Sequence, residues 1–319
     1  MAGRVLVLGG TGFVGWAMLT ALAADPARRL AWVARIDSPR AGGAAGLPAP
    51  ILVDDLETLD PGAALEADVI VDLVSRGRGR LATRRDILGR IRGHARLVDE
   101  LANREWRGHY VYLSSGGTIY GVDPPPVCEE TMPVAPFSDY ALEKAFVEMH
   151  LTSVAGQTGM ALSILRVANA YGEGQPAKPG FGVIPAIASA LSSGTPFKLY
   201  GDGTSRRDYV HVEDIVAAIF AAMAAAQGGP AAGAGVEAGA GIVNIGSGVG
   251  TSVRELIAMA ERIAGRSVPM EEVAMFAAEP ASVVLDPRRA GRRLGWTARI
   301  GIEEGLARVL THHGLARPA

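Results

Sequence analysis

Tyr140 and Lys144 stand four residues apart in the stretch Ser138-Asp-Tyr-Ala-Leu-Glu-Lys144. On a helix that spacing puts a phenol and an ammonium one turn apart on the same face. A fixed positive charge beside a tyrosine lowers its pKa from about 10 and makes it a general base near neutral pH. The spacing alone is an ordinary helix-surface pair, so its meaning depends on its surroundings.

The second chemical signal is Gly9-Gly-Thr-Gly-Phe-Val-Gly15. Gly10, Gly12 and Gly15 satisfy Gly-x-Gly-x-x-Gly between a strand and a helix. Glycine is needed where backbone turns tightly and approaches a pyrophosphate, and the helix N-terminus adds free N–H groups and a positive dipole end. Gly9, Gly12, Phe13, Val14 and Gly15 are therefore candidate cofactor contacts. The next strand reads Leu30-Ala-Trp-Val-Ala-Arg-Ile-Asp37. An NAD site usually ends this strand with an acid, whereas Ala34 or Arg35 stands at that position here. Arg35 and Arg40 could hold a 2′-phosphate and favour NADP; Asp37 could serve the ribose of NAD if the strand runs further. NAD is expected, with NADP possible.

These groups need a scaffold. The first half alternates short apolar runs (5–8, 30–34, 51–53, 69–73, 109–114 and 161–167) with helical segments at 13–24, 85–104 and 139–158. That order predicts an α/β fold with a doubly wound parallel sheet. After residue 167 a Gly/Pro-rich loop begins, and 171–205 reads as an inserted lobe. Residues 228–241 form an Ala/Gly-rich loop without assigned function. The 319 residues can bury a substantial core, 49 % of them are apolar, and a net charge of −2 leaves no footprint for nucleic acid. The arginines of 76–96 read as a solvated helix face. The single Cys128 fits a reducing compartment. The chain opens directly on a strand, and no stretch suits a membrane span, so a cytoplasmic enzyme is expected.

The motifs together resemble the extended short-chain dehydrogenase/reductase family, in its nucleotide-sugar epimerase/dehydratase branch and most of all its UDP-hexose 4-epimerase-like members. They are the Gly9–Gly15 turn, Asp54-Asp-Leu56, Asp68-Val-Ile-Val-Asp-Leu-Val-Ser75 and Tyr112-Leu-Ser-Ser-Gly-Gly-Thr-Ile-Tyr-Gly121, followed by the Tyr140/Lys144 pair. Downstream come Leu165-Arg-Val-Ala-Asn-Ala-Tyr-Gly172, Tyr200-Gly-Asp-Gly203, Arg207-Asp-Tyr-Val-His-Val-Glu-Asp214, Asn244-Ile-Gly-Ser-Gly248 and Leu294-Gly-Trp296. The resemblance implies a Rossmann domain over 1–170, to which 206–245 returns, and a nucleotide-sugar-binding lobe from 171–205 and 246–319. It places Asp55 and Leu56 near the adenine and Leu73, Val74 and Ser75 beside the cofactor. Asn169 and Arg207 would meet the sugar-nucleotide phosphates, and Tyr200 would line the nucleotide pocket. It also implies a homodimer through the 85–104 and 139–158 helices. Tyr140 would take a sugar hydroxyl proton while hydride leaves that carbon, with Lys144 on the nicotinamide ribose.

Three positions depart from the pattern. The hydroxyl expected beside Tyr140 falls on Gly116, so Thr118, or less favourably Ser115, is expected to replace it at the substrate. A family asparagine becomes Arg90, and an Arg-x-x-Asp clamp aligns with Phe276-Ala-Ala-Glu279, for which Arg206, Arg288 or Arg289 would compensate. His211 reads as structural, and no metal-ligand cluster is expected from spacing. The sequence thus predicts a 4-epimerase of a nucleotide-activated hexose. The alternatives are an NADPH-dependent 4-ketoreductase of a nucleotide deoxysugar and a non-catalytic dinucleotide sensor.

Overall fold

The computed structural model describes residues 3–25, 28–75, 84–177, 182–225, 239–274 and 280–316. The 276–279 stretch, much of the Ala/Gly-rich loop and part of the 76–96 basic run lie outside them.

Strands β1 (Arg4–Leu8), β2 (Arg29–Arg35), β3 (Ile51–Val53), β4 (Val69–Asp72), β5 (His109–Ser115) and β6 (Ala161–Val167) form where the apolar runs predict them. With β10 (Gly241–Ile245) they make one seven-stranded sheet in the order β10-β6-β5-β4-β1-β2-β3, every pair parallel. A parallel sheet must be covered on both faces, and β1 shows how. Val5 and Val7 face one core with α1 (Phe13–Ala23) and α7 (Val212–Ala225). Leu6 and Leu8 face another with α3 (Arg84–Asn103) and α5 (Asp139–Thr158). Short α2 (Gly62–Leu65) and α4 (Gly116–Ile119) fill turns between strands.

A smaller lobe follows. β7 (Asn169–Tyr171) leaves the large sheet and pairs with β9 (Arg206–His211), which also pairs with β11 (Gly250–Ser252) and β13 (Ser282–Val283). β8 (Phe197–Tyr200) pairs with β12 (Met270–Val273). Helices α6 (Val183–Ser193), α8 (Val253–Ala264) and α10 (Ile302–His312) enclose a third core around Tyr171, Leu199, Leu256 and Leu306. α9 (Arg288–Leu294) packs against α7 and β10. Of the returning segment 206–245, α7 and β10 reach the large sheet, whereas β9 stays with the small one. Among the described residues no helix is long and apolar enough to cross a membrane.

Candidate active site

The strand order reverses between β1 and β4, and the turns leaving these strands open on one side of the sheet. Gly9 has φ +77°, and a Cβ there would stand 2.8 Å from the Leu73 carbonyl group. A Cβ on Gly15 would lie 2.2 Å from the Gly9 carbonyl oxygen, so this glycine lets α1 close down on the turn. Gly10 serves packing against Leu19 and Trp32 and does not line the cleft. Gly12 caps α1, whose first turn carries no acid, so no side chain of its own neutralises the open amides. Arg40 lies over the Trp16 ring at 4.7 Å, with Nη1 3.4 Å from the Thr11 and Gly12 carbonyl oxygens. Burial lowers its pKa.

β2 ends at Arg35, whose guanidinium grips Asp37 with both donors of its fork, Nε to Oδ1 at 2.8 Å. The cation is thus already paired with the nearest acid. Asp55 spends its carboxylate on capping the short turn Leu56–Thr58, accepting from the Thr58 amide at 3.2 Å.

The segment Leu73-Val74-Ser75 is set by a buried acid that sequence reasoning did not single out. Asp72 accepts from the Val74 amide at 3.0 Å and the Tyr110 hydroxyl at 2.7 Å, and its Oδ2 lies 3.0 Å from His94 Nε2. Burial pushes its pKa up, but the His94 charge and these hydrogen bonds outweigh it, and the net direction is down. Burial, with the nearby Asp72 charge, pushes the Tyr110 and Tyr112 hydroxyls well above their usual pKa.

Ser138 caps α5 by accepting from the Ala141 amide at 3.1 Å. Tyr140 then lines the cleft half-buried, while Lys144 is 1 % exposed. Lys144 Nζ donates to the Leu113 carbonyl at 2.9 Å and the Val74 carbonyl at 3.2 Å, and lies 4.7 Å over the Tyr112 ring. It therefore ties α5 to the ends of β4 and β5. Of the two candidate hydroxyls, Ser115 lines the cleft, whereas Thr118 is buried, does not line it and donates to Ser115 Oγ at 3.0 Å. Gly116 does not line the cleft either, because a Cβ there would meet Leu285 at 2.4 Å and the Arg166 carbonyl at 3.0 Å. Ser114 was missed. Its Oγ is buried at the cleft and finds no partner among the described residues, and the signal was the β5 alternation that aligns it with Tyr110 and Tyr112.

At the lobe end, Asn169 donates its amide to the Asp208 carbonyl at 2.8 Å, holding β7 on β9. Tyr200 is 52 % exposed on the cleft, and Lys198 stands nearby. Arg207 lines the cleft while donating to the Arg206 and Pro280 carbonyls at 2.9 and 2.8 Å. The three proposed compensating arginines lie elsewhere. Arg206 is held by Glu255 and the Gly250 carbonyl, Arg288 by Asp286 and Glu129, and Arg289 approaches Glu130. Asp208 is buried, which raises its pKa, although the Ser247, Gly248 and Leu285 amides cradle it.

One acid–histidine cluster escaped the spacing argument. Glu173, His211 and Glu213 bring ligand-type atoms within 4.8 Å of one another. His211 donates from Nε2 to Glu173 at 2.9 Å and accepts the Glu213 amide on Nδ1 at 3.3 Å, so its imidazole is committed within the protein.

The cleft measures about 1610 Å³ and runs from the glycine turn to Tyr200 and Arg207. That exceeds the roughly 300–1,000 Å³ of a site for one small molecule and leaves room for two ligands end to end. Gly9, Gly12, Phe13, Val14, Gly15, Arg35, Asp55, Leu56, Leu73, Val74, Ser75, Ser115, Tyr140, Lys144, Asn169, Tyr200 and Arg207 all line it. The glycine cradle, the helix start that no side chain caps and the orphaned Ser114 hydroxyl fit a dinucleotide.

The chain is similar to known proteins in sequence and fold. The chain is 30 % identical to a UDP-glucose 4-epimerase of Mycolicibacterium smegmatis over 96 % of its own length and 97 % of that protein's. It is 28 % identical to a dTDP-4-dehydro-6-deoxyglucose reductase of Escherichia coli over 63 % of this chain and 60 % of the other. Among solved structures it superposes on MoeE5 in complex with UDP-glucuronic acid and NAD, with a TM-score of 0.84 and 27 % identity over 97 % of this chain and 98 % of that one. Residues 5–246 match the model of the NAD dependent epimerase/dehydratase family. Carrying that match together with the seven-stranded parallel sheet, the chain belongs to the NAD dependent epimerase/dehydratase family, of the extended short-chain dehydrogenase/reductase type.

Proposed function

We propose that the protein is a UDP-hexose 4-epimerase using NAD. The observation that carries this is that Tyr140, Lys144 and Ser115 line one cleft together with the glycine turn, Tyr200 and Arg207. NAD, when bound, accepts a hydride from the sugar C4 and returns it. Tyr140 takes the C4 hydroxyl proton and gives it back to the 4-keto sugar once the sugar has presented its other face. Ser115, its hydroxyl oriented by Thr118, donates to the same sugar oxygen. Lys144 supplies a fixed positive charge beside the phenol as negative charge develops there and bonds the nicotinamide ribose. Arg207 and Asn169 hold the diphosphate, and Tyr200 covers the base. Asp37, held by Arg35, faces the adenosine ribose, which supports NAD over NADP.

The protein is proposed to act as a cytoplasmic homodimer, since α3 and α5 leave Leu88, Leu142, Phe146 and Met149 exposed. The reductase reading draws on the Escherichia coli relative. Tightly retained NAD in the purified protein argues against it, and an empty site that takes up NADPH argues for it. Tyr140→Phe tests the chemistry: kcat is expected to fall by ~10²–10⁴ with an unchanged melting temperature. Wild-type turnover in this variant would remove Tyr140 from the mechanism.

A further inference from the structure

Two buried ion pairs hold α5, and they sit differently. Glu148 clamps the middle of the helix to Arg166 on β6, Nη2 to Oε2 at 2.7 Å, and neither residue lines the cleft. Glu143 lies between Tyr140 and Lys144 in sequence and is wholly buried. One side chain of α3 takes both its oxygens: Arg90 donates from Nε at 3.0 and 3.1 Å and from Nη2 at 2.6 Å. Arg90 also donates to the Asp86 carbonyl of its own helix at 3.3 Å and forms part of the cleft wall.

We propose that the Arg90–Glu143 pair is a positioning device for the reacting groups. Its planar fork fixes the height and rotation of the start of α5 against α3, so that Tyr140 and Lys144 meet the ligands in register. This rests on the epimerase reading above. Stability alone gives no reason for such a pair, because two charges taken out of water gain little over apolar side chains of the same volume. A two-pronged guanidinium contact does what an apolar contact does not: it sets distance and direction together. Lys144 is bonded to the Leu113 and Val74 carbonyls, so a small slip of the helix start breaks that bonding and moves the phenol.

The test replaces both charges at once, Arg90→Met with Glu143→Leu, and separately makes Arg90→Lys, which keeps the charge and loses the fork. The double variant is expected to keep its melting temperature and its KM for the UDP-hexose while kcat falls ~10–100-fold and NADH affinity several-fold, since displacements near 1 Å cost that much. Arg90→Lys is expected to lose kcat at least ~5-fold without losing stability. Wild-type kcat and NADH affinity in both variants would overturn the inference, as would losses that appear only together with a fall in melting temperature. If the wild type converts no UDP-hexose, the epimerase reading fails, while NADH titration of the variants still decides the role of the pair.

Discussion

Gly15 and Tyr200 line opposite ends of one cleft under opposite constraints. At Gly15 the walls are backbone, and even a methyl group would come within 2.2 Å of a carbonyl oxygen. At Tyr200 the wall is a half-exposed ring on a short strand of a two-stranded sheet. The dinucleotide end is built from turns leaving neighbouring strands, so its shape is fixed when the sheet forms. The lobe end gathers β7, β8, β9 and α6 from separate parts of the chain, and its contacts are side chains. Rigid backbone suits a cofactor that is the same in every turnover, and adjustable side chains suit the ligand that varies between relatives.

Gly15→Ala breaks the comparison at its stiffest point. Because backbone meets backbone, the variant is expected to lose about 3 kcal/mol of stability and more than ~100-fold in NADH affinity, measured by urea unfolding and fluorescence titration. Normal NADH binding would show that the turn is pliable.

Acid sharpens the contrast next. Burial lowers the His109 pKa to about 4, so this imidazole at the base of β5 stays neutral in the fold. The unfolded chain takes up its proton first, and stability is lost as pH falls from about 6.5 towards 4, by up to about 3 kcal/mol. Asp208 in the lobe has the opposite sign: its raised pKa makes its contribution largest below the unfolded value and smaller as pH rises through the folded one. His109→Gln should flatten the acid slope of wild-type urea unfolding between pH 6.5 and 4. An unchanged slope would place the acid sensitivity elsewhere.

Tyr200→Ala gives the smallest effect. Losing one stacking face of roughly 0.5–1.5 kcal/mol should raise KM for the UDP-hexose ~2–10-fold. NADH affinity and melting temperature should not move. A change in NADH binding would mean that the two ends are coupled.

The same division governs what the sequence reveals. Strands β1 to β6 of the large sheet and helices α1, α3 and α5 were legible because apolar period and turn residues are local signals, whereas β10 was not predicted. The Gly9–Gly15 turn was legible too. The packing at Gly116 was not, because Leu285, far along the chain, fills the space where a side chain would go. Arg90 stood out as a mismatch, but its partner Glu143 comes from another helix. Asp72 reads as one polar residue ending a strand until Tyr110, His94 and the Val74 amide close around it. The lobe was hardest to read, since β7 and β9 gain meaning only when paired.

The central claim is that hydride leaves and returns to one sugar carbon under the control of Tyr140. It is tested most directly with UDP-glucose and UDP-glucuronic acid carrying deuterium at C4, incubated with the purified protein and analysed by NMR and mass spectrometry. The account predicts a C4 epimer of at least one of them that retains its deuterium in the wild type, with almost none formed by Tyr140→Phe. No epimer from either sugar, or an epimer that has exchanged its C4 deuterium for solvent hydrogen, would contradict it.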